Sequence, residues 1–78
     1  MNVQREMSFG EQAVGLSFNP GNNHEVDNCK KEFAAVIDRM NYLRLQSSNA
    51  EVKRMASVAI TEAQTAQMWA VKAITWKT

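Results

Sequence analysis

Apolar residues recur at every third or fourth position through most of the chain after residue 25. They are densest over residues 60–76, ITEAQTAQMWAVKAITW. On a wheel of ~100° per residue, Ala59, Ala63, Ala66, Ala70 and Ala73 share one face. Trp69 and Trp76 flank that face on one side; Ile60, Val71 and Ile74 flank it on the other. The apolar arc exceeds half the circumference, more than a single neighbouring helix covers. Other copies of the chain are the expected cover.

The preceding stripe, Val26, Cys29, Phe33, Val36 or Ile37, Met40 and Leu43, predicts an amphipathic helix over residues 23–46. The pattern breaks over residues 45–49, where Ser48 and Glu51 have capping-box spacing for a new helix over 49–76. So short a connection makes the two helices antiparallel neighbours. The last helix, ~42 Å long at 1.5 Å per residue, is expected to outreach its partner. Small residues let helix axes approach closely. The alanine face is therefore expected to receive Phe33, Ile37 and Met40, leaving Trp69, Trp76, Ile60 and Ile74 for other subunits.

Before the hairpin, residues 1–7 read as a polar arm. Ser8 and Glu11 have capping-box spacing, predicting a short helix over 8–15 that Gly15 ends. An irregular arm is the other reading, because Gly10 and Gly15 both weaken a helix. Residues 16–22 form a turn built on Asn19-Pro20-Gly21, with Gly21 free to take positive φ. Asn22 or Asn23 caps the next helix, Asn22 having the capping spacing to Glu25. The fold class is therefore all-α: a short N-terminal helix and a long antiparallel helical hairpin, one domain over residues 1–78.

Composition adds the need for support. A core of this size is marginal alone. Cys29 is the only cysteine and His24 the only histidine, so there is no intrachain disulfide and no zinc site. Oligomerisation is the remaining support, and the lone thiol fits a reducing compartment. No stretch reads as a membrane span or a signal peptide, so the expectation is a small, soluble, intracellular protein with no membrane partner. Net charge is +1, which argues against coating long nucleic acid but not against a small anion. Residues 26–58 carry six basic and four acidic groups, the largest basic share.

Candidate chemistry is sparse. Phe18 is an aromatic in a polar turn: a small satellite core, or a platform for a flat ring. Lys30 and Lys31 lie one turn into the first long helix, where a solvated face is the ordinary reading. Opposite the apolar arc, Arg54, Ser57, Thr61, Gln64, Met68, Lys72 and Thr75 form a polar strip. Thr61 and Lys72 are ~16 Å apart along the axis, so a small ligand would need residues from several helices or subunits. No catalytic constellation and no Gly-rich phosphate loop is present, and no cofactor is expected.

The final helix carries a resemblance. Ala59-Ile60-Thr61 followed by Gln67-Met68-Trp69-Ala70-Val71-Lys72-Ala73-Ile74 resembles a phage helical-hairpin family, the anti-CBASS and anti-Thoeris sponges. The family pattern there is Ala-x-Thr, then Met-x-Ala-Val with Arg or Lys, then Ala-Ile. Asn28-Cys29-Lys30-Lys31 resembles the family's Asn-x-x-Lys. The resemblance implies a hexamer of hairpins with ligand pockets at subunit boundaries. It implies sequestration, without cleavage, of cyclic di- or trinucleotides (cyclic ADP-ribose isomers included) in the cytoplasm of an infected bacterium. Carried over, an aromatic from the N-terminal segment, Phe18 or Phe9, stacks on a base. Lys31 or Lys30 meets phosphate, Lys72 serves a second set of pockets, and Thr61 supplies a hydroxyl. A family tyrosine would add a phenol that neither Phe9 nor Phe18 supplies. The competing reading is a helical-hairpin interaction module that binds another protein through its Trp-rich helix.

Overall fold

The computed structural model describes residues 6–77. Three helices follow in order: α1 (Phe9–Ala13), α2 (His24–Gln46) and α3 (Ala50–Ile74), with no strand among the described residues. Residues 1–5 of the expected arm lie outside the described residues. Among those described, no helix is long and apolar enough to cross a membrane.

Local signals explain most of the boundaries. Ser8 Oγ accepts from the Glu11 N–H at 3.0 Å while the Glu11 carboxylate accepts from the Ser8 N–H at 2.9 Å, a complete capping box. Gly15, at φ 62°, follows the end of α1 and donates to the Gln12 carbonyl at 3.1 Å. In the next turn the Asn22 N–H donates to the Asn19 carbonyl at 2.9 Å. Positive φ there belongs to Asn22 (48°), not to Gly21. Asparagine tolerates that region through its short polar side chain. The Asn19 side chain fixes the conformation by bonding both backbone groups of Asn23, at 2.9 and 3.2 Å.

The caps differ from the spacing-based expectation in the same way at both long helices. Asn23, rather than Asn22, caps α2, its Oδ1 accepting from the Glu25 and Val26 N–H groups at 2.8 and 3.2 Å. Asn49, rather than Ser48, caps α3, accepting from Glu51 and Val52 at 2.9 and 3.2 Å. One asparagine carbonyl serves two donors in each case, so no reciprocal glutamate is required. Glu51 turns instead to Arg54.

Helices α2 and α3 pack side by side, with Arg44 reaching Ser57 near the connection and Val26 sharing a groove with Ile74 at the other end. The pair is thus antiparallel. At 23 and 25 residues the helices are nearly equal, so the expected overhang of α3 is reduced to the residues around its C-terminus. The helix ends at Ile74, with Thr75 as its cap, rather than running to Trp76.

Ile37 is fully enclosed (0% exposed) in a core with Val14, Ala34 and Ile60, against which Leu16, Phe33, Met40 and Ala63 pack. The alanine face is only part of the seam: Ala63 packs on the core beside Phe33, Ile37 and Met40, and Ala59 and Ala70 are half-buried. Ala66 and Ala73 are exposed, whereas Ala56, Ile60 and Gln67 are buried. Ile60, expected at a subunit flank, is core. A helical wheel gives relative positions but not which sector is covered. Here α1 and the turn after it add Val14 and Leu16 as a third packing partner, and the covered sector of α3 turns toward Ile60. For the same reason Gln64 leaves the polar strip: its side-chain amide donates to the Ala13 carbonyl at 3.2 Å.

Candidate functional site

At the open end of the hairpin, the turn before α2 and the end of α3 enclose a groove of about 580 Å³. Its size falls within the ~300–1,000 Å³ typical of small-molecule sites. Phe18, a residue 73% exposed, lines it, and Val26, Val71 and Ile74 supply an apolar lining. Two lysines, Lys30 and Lys77, border it, and no aspartate or glutamate does.

Lys30 departs most from the solvated-face reading. It is only 5% exposed, and its ammonium donates to the Gly15 carbonyl at 2.9 Å and to the Phe18 carbonyl. The Phe18 ring centroid is 5.6 Å from the same nitrogen. Among the described residues Lys30 has no carboxylate partner. Lysine is rarely buried unless paired; here two backbone dipoles replace the counter-charge. The covered face of α2 runs through Val26, Lys30, Ala34 and Ile37 rather than through the Cys29 and Phe33 positions of the expected stripe. Lys31, the neighbour, is exposed and pairs with Asp27 at 2.9 Å, one turn back.

The remaining candidates divide between the two ends of the molecule. Lys72 is exposed at the groove end of α3, its ammonium 5.2 Å from the Trp69 ring and 5.7 Å from the Trp76 ring. Phe9 lies toward the connection, with the Arg44 guanidinium 5.0 Å from its ring centroid. Arg44 also donates to Asn41 at 2.9 Å and to Ser57 at 3.1 Å. The Thr61 hydroxyl donates to the Ser57 carbonyl at 3.3 Å, an intrahelical bond that leaves the residue exposed. A single chain therefore brings Phe18 and Lys30 together on one groove and places Lys72 in an adjoining cavity that shares Trp76, while Phe9 and Thr61 line neither. Lys77 and Arg44 were not singled out as site residues by the sequence, because only the tertiary arrangement gives them aromatic or groove neighbours.

A family model described as Acb2/Tad1, hairpin domain, matches residues 11–75. The chain belongs to the Acb2/Tad1 hairpin family, the anti-CBASS and anti-Thoeris sponges. No curated protein and no solved structure matches it. The match to the Acb2/Tad1 hairpin takes in α2 and α3 whole, together with Phe18, Lys30, Lys31, Thr61 and Lys72. It stops short of Phe9 at one end and of Trp76 and Lys77 at the other.

Cys29, half-buried beside Lys30, is not poised for reaction. Burial pushes its thiol pKa up, the Glu32 carboxylate adds to the rise, and Lys30 opposes it. The thiolate is the reactive form, so Cys29 is expected to alkylate with iodoacetamide more slowly than free cysteine at pH 8, and faster as pH rises. Mass spectrometry over a time course measures this; a rate above that of free cysteine would contradict the assignment.

Proposed function

We propose that this protein sequesters cyclic di- or trinucleotide signals without cleaving them, as an immune-evasion protein in the cytoplasm of an infected bacterium. The observation that carries this reading is the convergence of Phe18 and Lys30 on one groove free of carboxylates. A cyclic oligonucleotide needs flat faces for its bases and donors for its phosphates, and both are offered there. A sponge performs no chemistry, and its residues need only bind. Family membership supplies the class of ligand.

The proposed assembly is a homo-oligomer, a hexamer by family likeness, with pockets completed between subunits. Support comes from large apolar side chains left uncovered on one chain, including Met68 and Trp69 on α3 and Tyr42 and Leu45 at the end of α2. On α3, Met68 and Trp69 are sequence neighbours, and an uncovered apolar surface of that kind suits a contact between chains. Lys72 is proposed to serve a second set of pockets. Lys31, Phe9 and Thr61 do not line the Phe18 groove; their contribution to it would come across a subunit boundary.

The test is recovery. Protein in excess should deplete free cyclic dinucleotide from an ultrafiltrate, and heating should return it intact. Recovery of a linear or cleaved product would replace the sponge with a hydrolase. The exposed Trp69 also favours the second reading, a hairpin that binds another protein. A stable monomer in solution that leaves every cyclic nucleotide free would select that reading.

A further inference from the structure

The groove has a second aromatic side chain, outside the segment that the family match covers. Trp76 follows the α3 cap Thr75, so its backbone has left the helix. Its side chain is 64% exposed and lines both the Phe18 groove and a shallower neighbouring cavity bordered by Trp69, Lys72 and Ala73. The Lys72 ammonium lies against its ring, an arrangement that favours one orientation of the indole through the attraction of a cation for a π-face. Phe18 and Trp76 come from segments far apart in sequence, and neither ring is covered by its own chain.

We propose that Trp76 is a ligand-contacting residue of this groove: with Phe18 it provides a second stacking surface for a nucleobase whose phosphate meets Lys30 and Lys77. The inference rests on the nucleotide-binding reading above. The lining favours such a ligand over an uncharged or cationic one, because two lysines border it and no aspartate or glutamate does. Two π-faces suit flat rings, and base–aromatic stacking is tolerant of which base is presented. Trp76 is thereby a determinant of affinity that serves several bases.

The chain has two tryptophans, so Trp69→Phe leaves Trp76 as the sole indole. Trp69 does not line the Phe18 groove but borders the Lys72 cavity. Trp76→Ala and Trp76→Phe are therefore also titrated by calorimetry in the otherwise wild-type chain, where the affinity change decides the outcome by itself. Cyclic di-AMP, cyclic di-GMP and cyclic tri-AMP are titrated into this variant and followed by emission and by calorimetry. At least one probe should quench the emission, with a midpoint equal to the calorimetric one. Trp76→Ala should weaken that probe by about ten-fold or more, within the range reported for loss of one base–aromatic stack. Trp76→Phe should hold affinity within a few-fold, and both variants should keep the wild-type mass in solution. Calorimetric binding with unchanged emission, or Trp76→Ala binding like wild type, overturns the role of Trp76 and leaves the sponge reading standing. A fall in assembly mass on Trp76→Ala makes it an interface residue and also overturns the proposal. Failure of all three probes to bind the wild-type protein overturns the inference together with the nucleotide-binding reading.

Discussion

Gly10→Ala is expected to undock α1 and lower the melting temperature by roughly 10 °C or more, the shift that a loss of about 2 kcal/mol produces in a domain of this size. Gly10 sits where α1 crosses α2, and its N–H donates to Asp38 Oδ1 at 2.7 Å. A Cβ there would lie 2.1 Å from the Ala34 carbonyl oxygen and 2.9 Å from the Ala34 carbonyl carbon. These are helix backbone atoms, which do not rotate away. Relief to the ~3.5 Å of ordinary contact moves α1 by more than an ångström and stretches the Asp38 bond. Overpacking costs about 1–3 kcal/mol and sometimes more; the better helix propensity of alanine returns under ~1 kcal/mol of it. Val14, part of the core, moves with α1. Since α1 leads into Gly15 and Phe18, binding in the groove should weaken as well. Thermal melts followed by circular dichroism test the prediction. A variant within ~0.5 kcal/mol of wild type would show that α1 does not pack here as described.

That crossing was not legible in the sequence, and the reason is physical. Gly10 carries a local meaning, a weak point in a short helix, and only the approach of α2 turns its missing side chain into a requirement. The long helices were legible because their apolar periodicity reports burial directly. Their rotation was not, since the alanine face and the Ile60 flank are both apolar and only the presence of Val14 and Leu16 decides which is covered. Of the two asparagines open as the cap of α2, Asn23 takes the role, and at α3 the cap moves from Ser48 to Asn49, because adjacent residues share cap chemistry and the backbone chooses between them. At the site, Phe18 and Lys30 were identified as residue types with ligand chemistry. What could not be read was that Lys30 turns inward to the turn that carries Phe18, while Lys31, with the same charge one position on, turns to Asp27.

Those two lysines give the second prediction. Lys30→Met keeps the length of the side chain and removes its charge and its donors. The Gly15 and Phe18 carbonyls then lose their partner. A buried acceptor left unsatisfied costs about 1–3 kcal/mol. The adjoining groove lets water reach part of this site, so the net loss for the pair is expected to stay near ~1–3 kcal/mol, one acceptor's worth. Lys31→Met removes only an exposed pair with Asp27, one turn apart on the same helix, worth ~0.5 kcal/mol or less. Denaturant titration should therefore separate the two variants clearly. Ligand binding should separate them further: Lys30→Met frees the 15–18 turn and removes the cation from the groove, so cyclic dinucleotide affinity should fall by more than ten-fold, a change above ~1.4 kcal/mol. The comparison decides between the two lysines that the Asn-x-x-Lys likeness leaves open. Equal stability of the two variants would mean that the Lys30 clamp does not hold the turn. Loss of binding confined to Lys31→Met would move the phosphate contact out of this groove and onto the exposed face of α2, where only a neighbouring subunit could complete a pocket.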